Sequence, residues 1–243
     1  MGMERLQAVL RLIYPPRCLT CDTPVISDFA LCPDCWRETT FIGGMVCDLC
    51  GTPLPGEDDG SPAHCDDCLT LARPWSRGRA ALLYDGKGRH VVLALKHGDR
   101  QDLAGPAAAW MARAADPILK PGMLVAPVPL HWTRLFRRRY NQSALLAQAL
   151  ARQTGLDCVP DLLIRTHRTL SQDGRGREAR FANLDGAIRP HPRRGALIAG
   201  RPVLLVDDVM TSGATLAAAA DACLAAGATK VCTVVLARVA KDA

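Results

Sequence analysis

The 243-residue chain has 49% hydrophobic and 22% charged residues, which excludes a disordered protein and leaves room for one large domain or two. Its net charge of +6 is unevenly divided: residues 1–75 carry 5 basic and 11 acidic side chains, residues 76–243 carry 25 and 13. The basic part suits a polyanion such as a nucleotide or nucleic acid, and the asymmetry predicts two lobes with different partners.

Residues 3–14 place Leu6, Val9, Leu10 and Ile13 on one helical face, and Pro15-Pro16 stops the helix. Arg5 and Arg11 interrupt the segment, so it lacks the apolar run of an export signal. No stretch reaches the length of a membrane span. The expectation is a cytoplasmic protein with no membrane insertion.

Eight of the eleven cysteines form four Cys-x-x-Cys pairs: Cys18 and Cys21, Cys32 and Cys35, Cys47 and Cys50, Cys65 and Cys68. Each pair can turn two thiolates toward one metal, and two pairs complete a tetrahedral site for zinc. A reducing compartment favours metal over disulfides, giving one or two structural Zn²⁺ ions. Joining each pair to its next neighbour is preferred, although an interleaved arrangement satisfies the same spacing. A redox-active pair would need a βαβ unit beside it, which this segment lacks. A closed four-thiolate site has no open position for a substrate, and each one adds about two negative charges to an already acidic lobe. His64, next to Cys65, reads as a surface histidine.

A linker over residues 71–77, marked by Pro74, divides the expected domains at 1–75 and 76–243. Beyond it strands and helices alternate. Residues 80–84 read as a strand, Gly86 and Gly88 as a turn, 91–95 as a short helical turn and 103–115 as a helix. Residues 124–130 read as a strand and 132–154 as a helix with a very basic start. Residues 131–201 hold 14 arginines, no lysine and 5 acids, a composition suited to forked contacts with phosphate oxygens. Trp132, Phe136 and Tyr140 interleave with these arginines. At four-residue spacing they read either as a platform for stacked bases or as the buried stripe of a helix. Cys158, Cys223 and Cys232 lie in apolar surroundings and read as core thiols.

Residues 203–216 carry the densest pattern. Val203, Leu204, Leu205 and Val206 read as a strand buried on both faces. Asp207 and Asp208 follow, and Thr211, Ser212, Gly213, Ala214 and Thr215 lead into an alanine-rich helix reaching residue 226. A glycine turn with hydroxyls at a helix N-terminus suits a phosphate, and adjacent carboxylates can accept hydrogen bonds from two ribose hydroxyls. Residues 229–239, rich in β-branched side chains, supply a last parallel strand through a right-handed crossover.

This segment resembles the binding motif for phosphoribosyl pyrophosphate (PRPP) in type I phosphoribosyltransferases. The resemblance implies that Asp207 and Asp208 hold the ribose 2′- and 3′-hydroxyls and that residues 211–215 hold the 5′-phosphate. Further motifs extend it: Leu95-Lys96-His97-Gly98-Asp99, Pro127-Val128-Pro129-Leu130-His131, Tyr140-Asn141-Gln142, and Thr169, Ser171, Gln172, Arg180 and Asn183. Together with the cysteine pairs they make nearly the whole chain similar to the ComF family, a double zinc ribbon joined to a phosphoribosyltransferase domain related to amidophosphoribosyltransferases. Tyr140 stands where the family more often has Phe, and residues 173–178 lack the family's usual Leu.

The implied architecture is a parallel-sheet α/β type I phosphoribosyltransferase fold with a small N-terminal double zinc ribbon, its site at the carboxyl ends of the strands. By resemblance, Lys96, Arg134, Arg138, Asn141, Gln142, Gln172 and Arg180 line the pyrophosphate and hood side, residues 165–183 form the hood, and Mg²⁺ enters with PRPP. The family further implies natural competence, with single-stranded DNA and DNA-uptake proteins as partners. Three functions follow: a PRPP-binding protein in DNA handling, an active phosphoribosyltransferase acting on an amine or base, or a zinc-dependent scaffold. No residue is assigned a catalytic role.

Overall fold

The apolar run at 203–206 becomes the centre of a five-stranded sheet. The computed structural model describes residues 14–97, 99–166 and 186–240, without the side chains of Arg134, Arg137 and Arg138. The expected helix over 3–14 therefore lies almost wholly outside the described residues. Short helices α1 (Pro33–Arg37) and α2 (Asp66–Thr70) belong to the cysteine-rich lobe. Then follow β1 (Arg77–Leu83), α3 (Gly86–His97), α4 (Ala104–Ala115) and β2 (Leu124–Pro127). Next come α5 (Trp132–Arg138), α6 (Gln142–Thr154) and the two-residue β3 (Asp157–Cys158). A separate antiparallel pair, β4 (Leu163–Arg165) and β5 (Ile188–Pro190), precedes β6 (Pro202–Met210), α7 (Ala214–Ala225) and β7 (Lys230–Arg238).

The large sheet has the order β1-β7-β6-β2-β3, and every pairing is parallel. Alternation along β6 sends Leu204 and Val206 into a core with Leu95, Met111, Leu146 and Leu150, while Val203 and Leu205 pack on the other face with Leu216, Ala219 and Ala220 of α7. Both faces are thus covered, as a parallel sheet requires.

The cysteine-rich lobe wraps the free edge of β1. The Ile42 amide donates to the Ala81 carbonyl at 2.9 Å, Leu83 N–H to Thr40 at 2.9 Å and Gly78 N–H to Asp48 at 2.7 Å. These bonds cover an edge that would otherwise invite another chain. Asp48 then accepts from Arg77 and Arg79, each at 2.8 Å; the two guanidiniums outweigh its desolvation and hold its carboxyl below the usual range.

Three expectations about local structure need correction. Gly86 and Gly88 do not form a turn but begin α3; a β-carbon at Gly88 would collide with the Leu83 carbonyl, so glycine serves close approach there. The helix expected over 132–154 is two helices. Arg139 (φ +66°) ends α5 in the left-handed region, and Asn141 starts α6 by accepting from Ser143 N–H at 3.1 Å. Trp132 and Phe136 are 70% and 87% exposed and form no buried stripe. Cys223 and Cys232 are core thiols as expected, and Cys158 is half-buried.

Candidate functional site

The carboxyl end of β6 delivers Asp207 and Asp208 beside the turn into α7. Asp207 is fixed from two sides: its Oδ1 accepts from Ser143 Oγ at 2.8 Å and from the Asp208 amide at 2.9 Å. Asp208 is buried, and its Oδ2 lies 3.3 Å from Lys96 Nζ at the end of α3. Three elements, α3, α6 and β6, therefore converge on the acidic pair. Burial and the neighbouring Asp208 charge push the Asp207 carboxyl up to about 7, with the Ser143 hydrogen bond opposing them.

That shift fixes a pH dependence. In the folded protein Asp207 keeps its proton from about pH 4 to about pH 7, where the unfolded chain has lost it. Its contribution to stability is present below the unfolded value and is lost as pH rises toward 7. Denaturant midpoints measured from pH 4.5 to 7.5 should show this fall, and Asp207→Asn should flatten it. An unchanged slope in that variant would remove the assignment.

Past Met210 the chain turns through Thr211, Ser212 and Gly213, and the concavity they form with Asp207, Val209, Ala214, Thr215 and Leu216 holds about 30 Å³. Gly213 caps α7 at φ +82°, a conformation that L side chains rarely adopt. A β-carbon there would lie 2.7 Å from Arg73 Nη1 and 3.2 Å from Trp75. Gly213→Ala should therefore lower stability by about 1–2 kcal/mol in urea unfolding. Beneath the turn, Arg73 Nη1 donates to the Ser212 carbonyl at 2.6 Å, and Arg238 Nη1 donates to the Met210 and Thr211 carbonyls at 3.1 and 2.7 Å. With those carbonyls drawn down, planar trans peptides aim the following N–H groups at the opposite side, where a phosphate would sit.

The remaining expected residues divide. Asn141 caps α6 and donates from Nδ2 to the Val128 carbonyl at 3.1 Å, tying the end of β2 to the helix that carries Ser143. Gln142 is 1% exposed at the first position of α6. Arg134 and Arg138 lie in α5, and their side chains are outside the described residues, as are Gln172 and Arg180. Much of the hood expected over 165–183 also falls outside. Only residues 165 and 166 of that span are described, and Arg165 ends the strand paired with β5. Tyr140 donates to the Leu95 carbonyl at 2.8 Å, joining the turn between α5 and α6 to α3 near Lys96.

The cysteines resolve into two tetrads, Cys18, Cys21, Cys32 and Cys35, and Cys47, Cys50, Cys65 and Cys68, with the sulfurs of each within 4.8 Å of one another. Neighbouring pairs are joined, and no interleaved grouping occurs among the described residues. The Cys21–Cys32 and Cys50–Cys65 sulfurs are 3.6 Å apart, near the roughly 3.8 Å between thiolates around a tetrahedral zinc. The donor set fits structural zinc at both positions. His64 is exposed and stands outside the tetrad.

The sequence reading missed Ser143, Arg73, Trp75 and Arg238. Ser143 directly follows Asn141-Gln142 and would have been found by asking which helix face meets the end of β6. Arg73 and Trp75 flank the Pro74 taken to mark a linker, and an aromatic beside an arginine there was the available signal.

A double zinc ribbon domain family matches residues 9–69, and a phosphoribosyl transferase domain family matches residues 141–243. The DNA utilization protein YhgH of Salmonella typhi is 31% identical over 228 residues, covering 90% of this chain and 96% of the relative. Competence protein F of Haemophilus influenzae is 27% identical over 206 residues, covering 82% and 87%. A solved structure of the allosteric regulatory enzyme of purine biosynthesis has a TM-score of 0.40 and 20% identity, over 59% of this chain and 30% of that one.

Proposed function

This chain belongs to the ComF family, a double zinc ribbon with a phosphoribosyltransferase domain, and from that premise we propose that it binds PRPP in the handling of single-stranded DNA during competence. The observation that carries the reading is the Asp207–Asp208 pair, braced by Ser143 and Lys96, beside the turn into α7. Asp207 and Asp208 accept the ribose hydroxyls, and the turn with Thr211, Ser212, Gly213, Ala214 and Thr215 receives the 5′-phosphate. A bare phosphate would need only the turn; the acidic pair repels it and admits a sugar.

Lys96 supplies positive charge next to the clamp, on the pyrophosphate side with Arg134, Arg138, Asn141, Gln142, Gln172 and Arg180. Mg²⁺ brought by PRPP supplies further neutralisation of the pyrophosphate. Residues 1–75 form the zinc lobe and 76–243 the phosphoribosyl-binding domain of a cytoplasmic protein. Titrating PRPP with Mg²⁺ by calorimetry tests the reading. Saturable binding is expected, and absence of heat and of thermal stabilisation at millimolar PRPP overturns it. Pyrophosphate release across a panel of amines and bases separates a binding protein from a transferase.

The DNA part of the proposal draws support from the surface of α5. Trp132 and Phe136 stand 70% and 87% exposed in a segment containing Arg134, Arg137, Arg138 and Arg139. Exposed rings among arginines are what stacking on unpaired bases uses. Single-strand affinity should fall steeply between about 50 and 200 mM salt as released counterions are taken up again. Weak binding without a salt slope contradicts the DNA reading.

A further inference from the structure

One of the two arginines under the phosphate turn is tied, through Trp75, to the second cysteine tetrad. Arg73 lies over the Trp75 ring, 5.3 Å from its centroid, and donates to Ser212. Arg238 is 4% exposed and donates to Met210 and Thr211. Trp75 Nε1 donates to the Leu49 carbonyl, inside the turn between Cys47 and Cys50, at 2.5 Å. Cys47, Cys50, Cys68, Trp75, Met210 and Leu216 share one buried core. The first tetrad packs elsewhere, with Val25 and Leu31.

Charge explains the arrangement. The Nε atoms of Arg73 and Arg238 are buried without a hydrogen-bond partner. Arg238 is buried and donates to carbonyls alone, and a buried guanidinium is favoured by nearby negative charge, which four neutral thiols do not supply. Four thiolates around one Zn²⁺ carry about two negative charges, which two arginines balance. Both arginines hold the phosphate turn, and Arg73 ties it through Trp75 to the Cys47–Cys50 turn that a bound metal would fix.

We infer that Arg73, with Trp75, is a positioning residue that sets the phosphate turn from a metal-loaded second tetrad, so that phosphoribosyl binding and metal retention at that tetrad are linked. The inference rests on the reading of residues 211–215 as the 5′-phosphate cradle. Linkage is reciprocal: whatever the metal contributes to PRPP affinity, PRPP returns as tighter metal retention.

Zinc release to a chromogenic chelator, followed with and without PRPP, reads this directly in the wild-type protein. PRPP should slow release from one tetrad about tenfold and leave the other unchanged. Arg73→Ala should keep both zinc ions while raising the PRPP Kd about tenfold, the loss expected for one charge-assisted hydrogen bond. Arg73→Lys should fall between. Cys21→Ser, in the first tetrad, should lose one zinc with PRPP affinity unchanged. Equal PRPP affinity in Arg73→Ala and wild type, or release that ignores PRPP in a wild type that binds it, overturns the inference. A wild type that does not bind PRPP removes the cradle reading itself, and this inference with it. The release measurement needs no variant to fold.

Discussion

Replacing Asp207 and Asp208 together with alanine is expected to weaken PRPP binding at least a hundredfold. At pH 8, where Asp207 has lost its proton, each carboxylate offers a charge-assisted hydrogen bond to a ribose hydroxyl, and such bonds contribute about 1.5–3 kcal/mol apiece. Two of them amount to about 3–6 kcal/mol, or roughly two to four orders of magnitude in Kd. Folding should suffer much less. The change removes the mutual repulsion that helps raise the Asp207 carboxyl to about 7, which offsets the loss of the Lys96 partner at 3.3 Å. Calorimetric titration beside a thermal melt separates the two effects. A Kd within threefold of wild type, in a folded variant, would show that the acidic pair does not touch the ligand.

Breaking the second tetrad is expected to be the most destabilising single change in the chain. Cys47 is fully buried in a core shared with Trp75, Leu124, Leu205 and Leu216, whereas Cys21 is exposed. Structural zinc contributes an apparent 10–16 kcal/mol in small ribbons, comparable with the roughly 5–15 kcal/mol that holds a whole domain. Cys47→Ser should lose one zinc and lower the melting midpoint by about 10 °C or more, at about 2–4 °C per kcal/mol for a protein of this size. Cys21→Ser should lose one zinc with a much smaller shift, because the first ribbon meets the main body mainly through Leu19 and Leu31. Equal shifts in the two variants would contradict the unequal placement of the tetrads.

The contrast between the tetrads was not legible in the sequence, where the four Cys-x-x-Cys pairs look alike. What distinguishes them is which core each joins, and that depends on β1 pairing with segments around residues 40 and 48. The β6–turn–α7–β7 unit was legible in its order and in the bounds of α7 and β7, although β6 runs on through Asp207 and Asp208 to Met210 where a strand over 203–206 was expected. Its apolar runs are long, its helix is rich in alanine, and a glycine occupies the turn, where φ is +82°. The break between α5 and α6 was hidden because apolar spacing continues across it, and only the capping role of Asn141 reveals it. Arg73 and Arg238 were hidden for another reason. An arginine after a lobe and one at a strand end read as surface charges, and the turn carbonyls that they hold are distant in sequence.

The central claim is that one site joins a phosphate cradle to a ribose clamp. Its most direct test is to compare ribose 5-phosphate with 2-deoxyribose 5-phosphate by calorimetry, in wild type and in the Asp207→Ala, Asp208→Ala double variant. The wild type should prefer the ribose compound about tenfold or more, the value of one hydroxyl–carboxylate hydrogen bond, and the variant should bind both equally. Equal binding of the two sugars by the wild type would contradict the clamp and leave only an anion site.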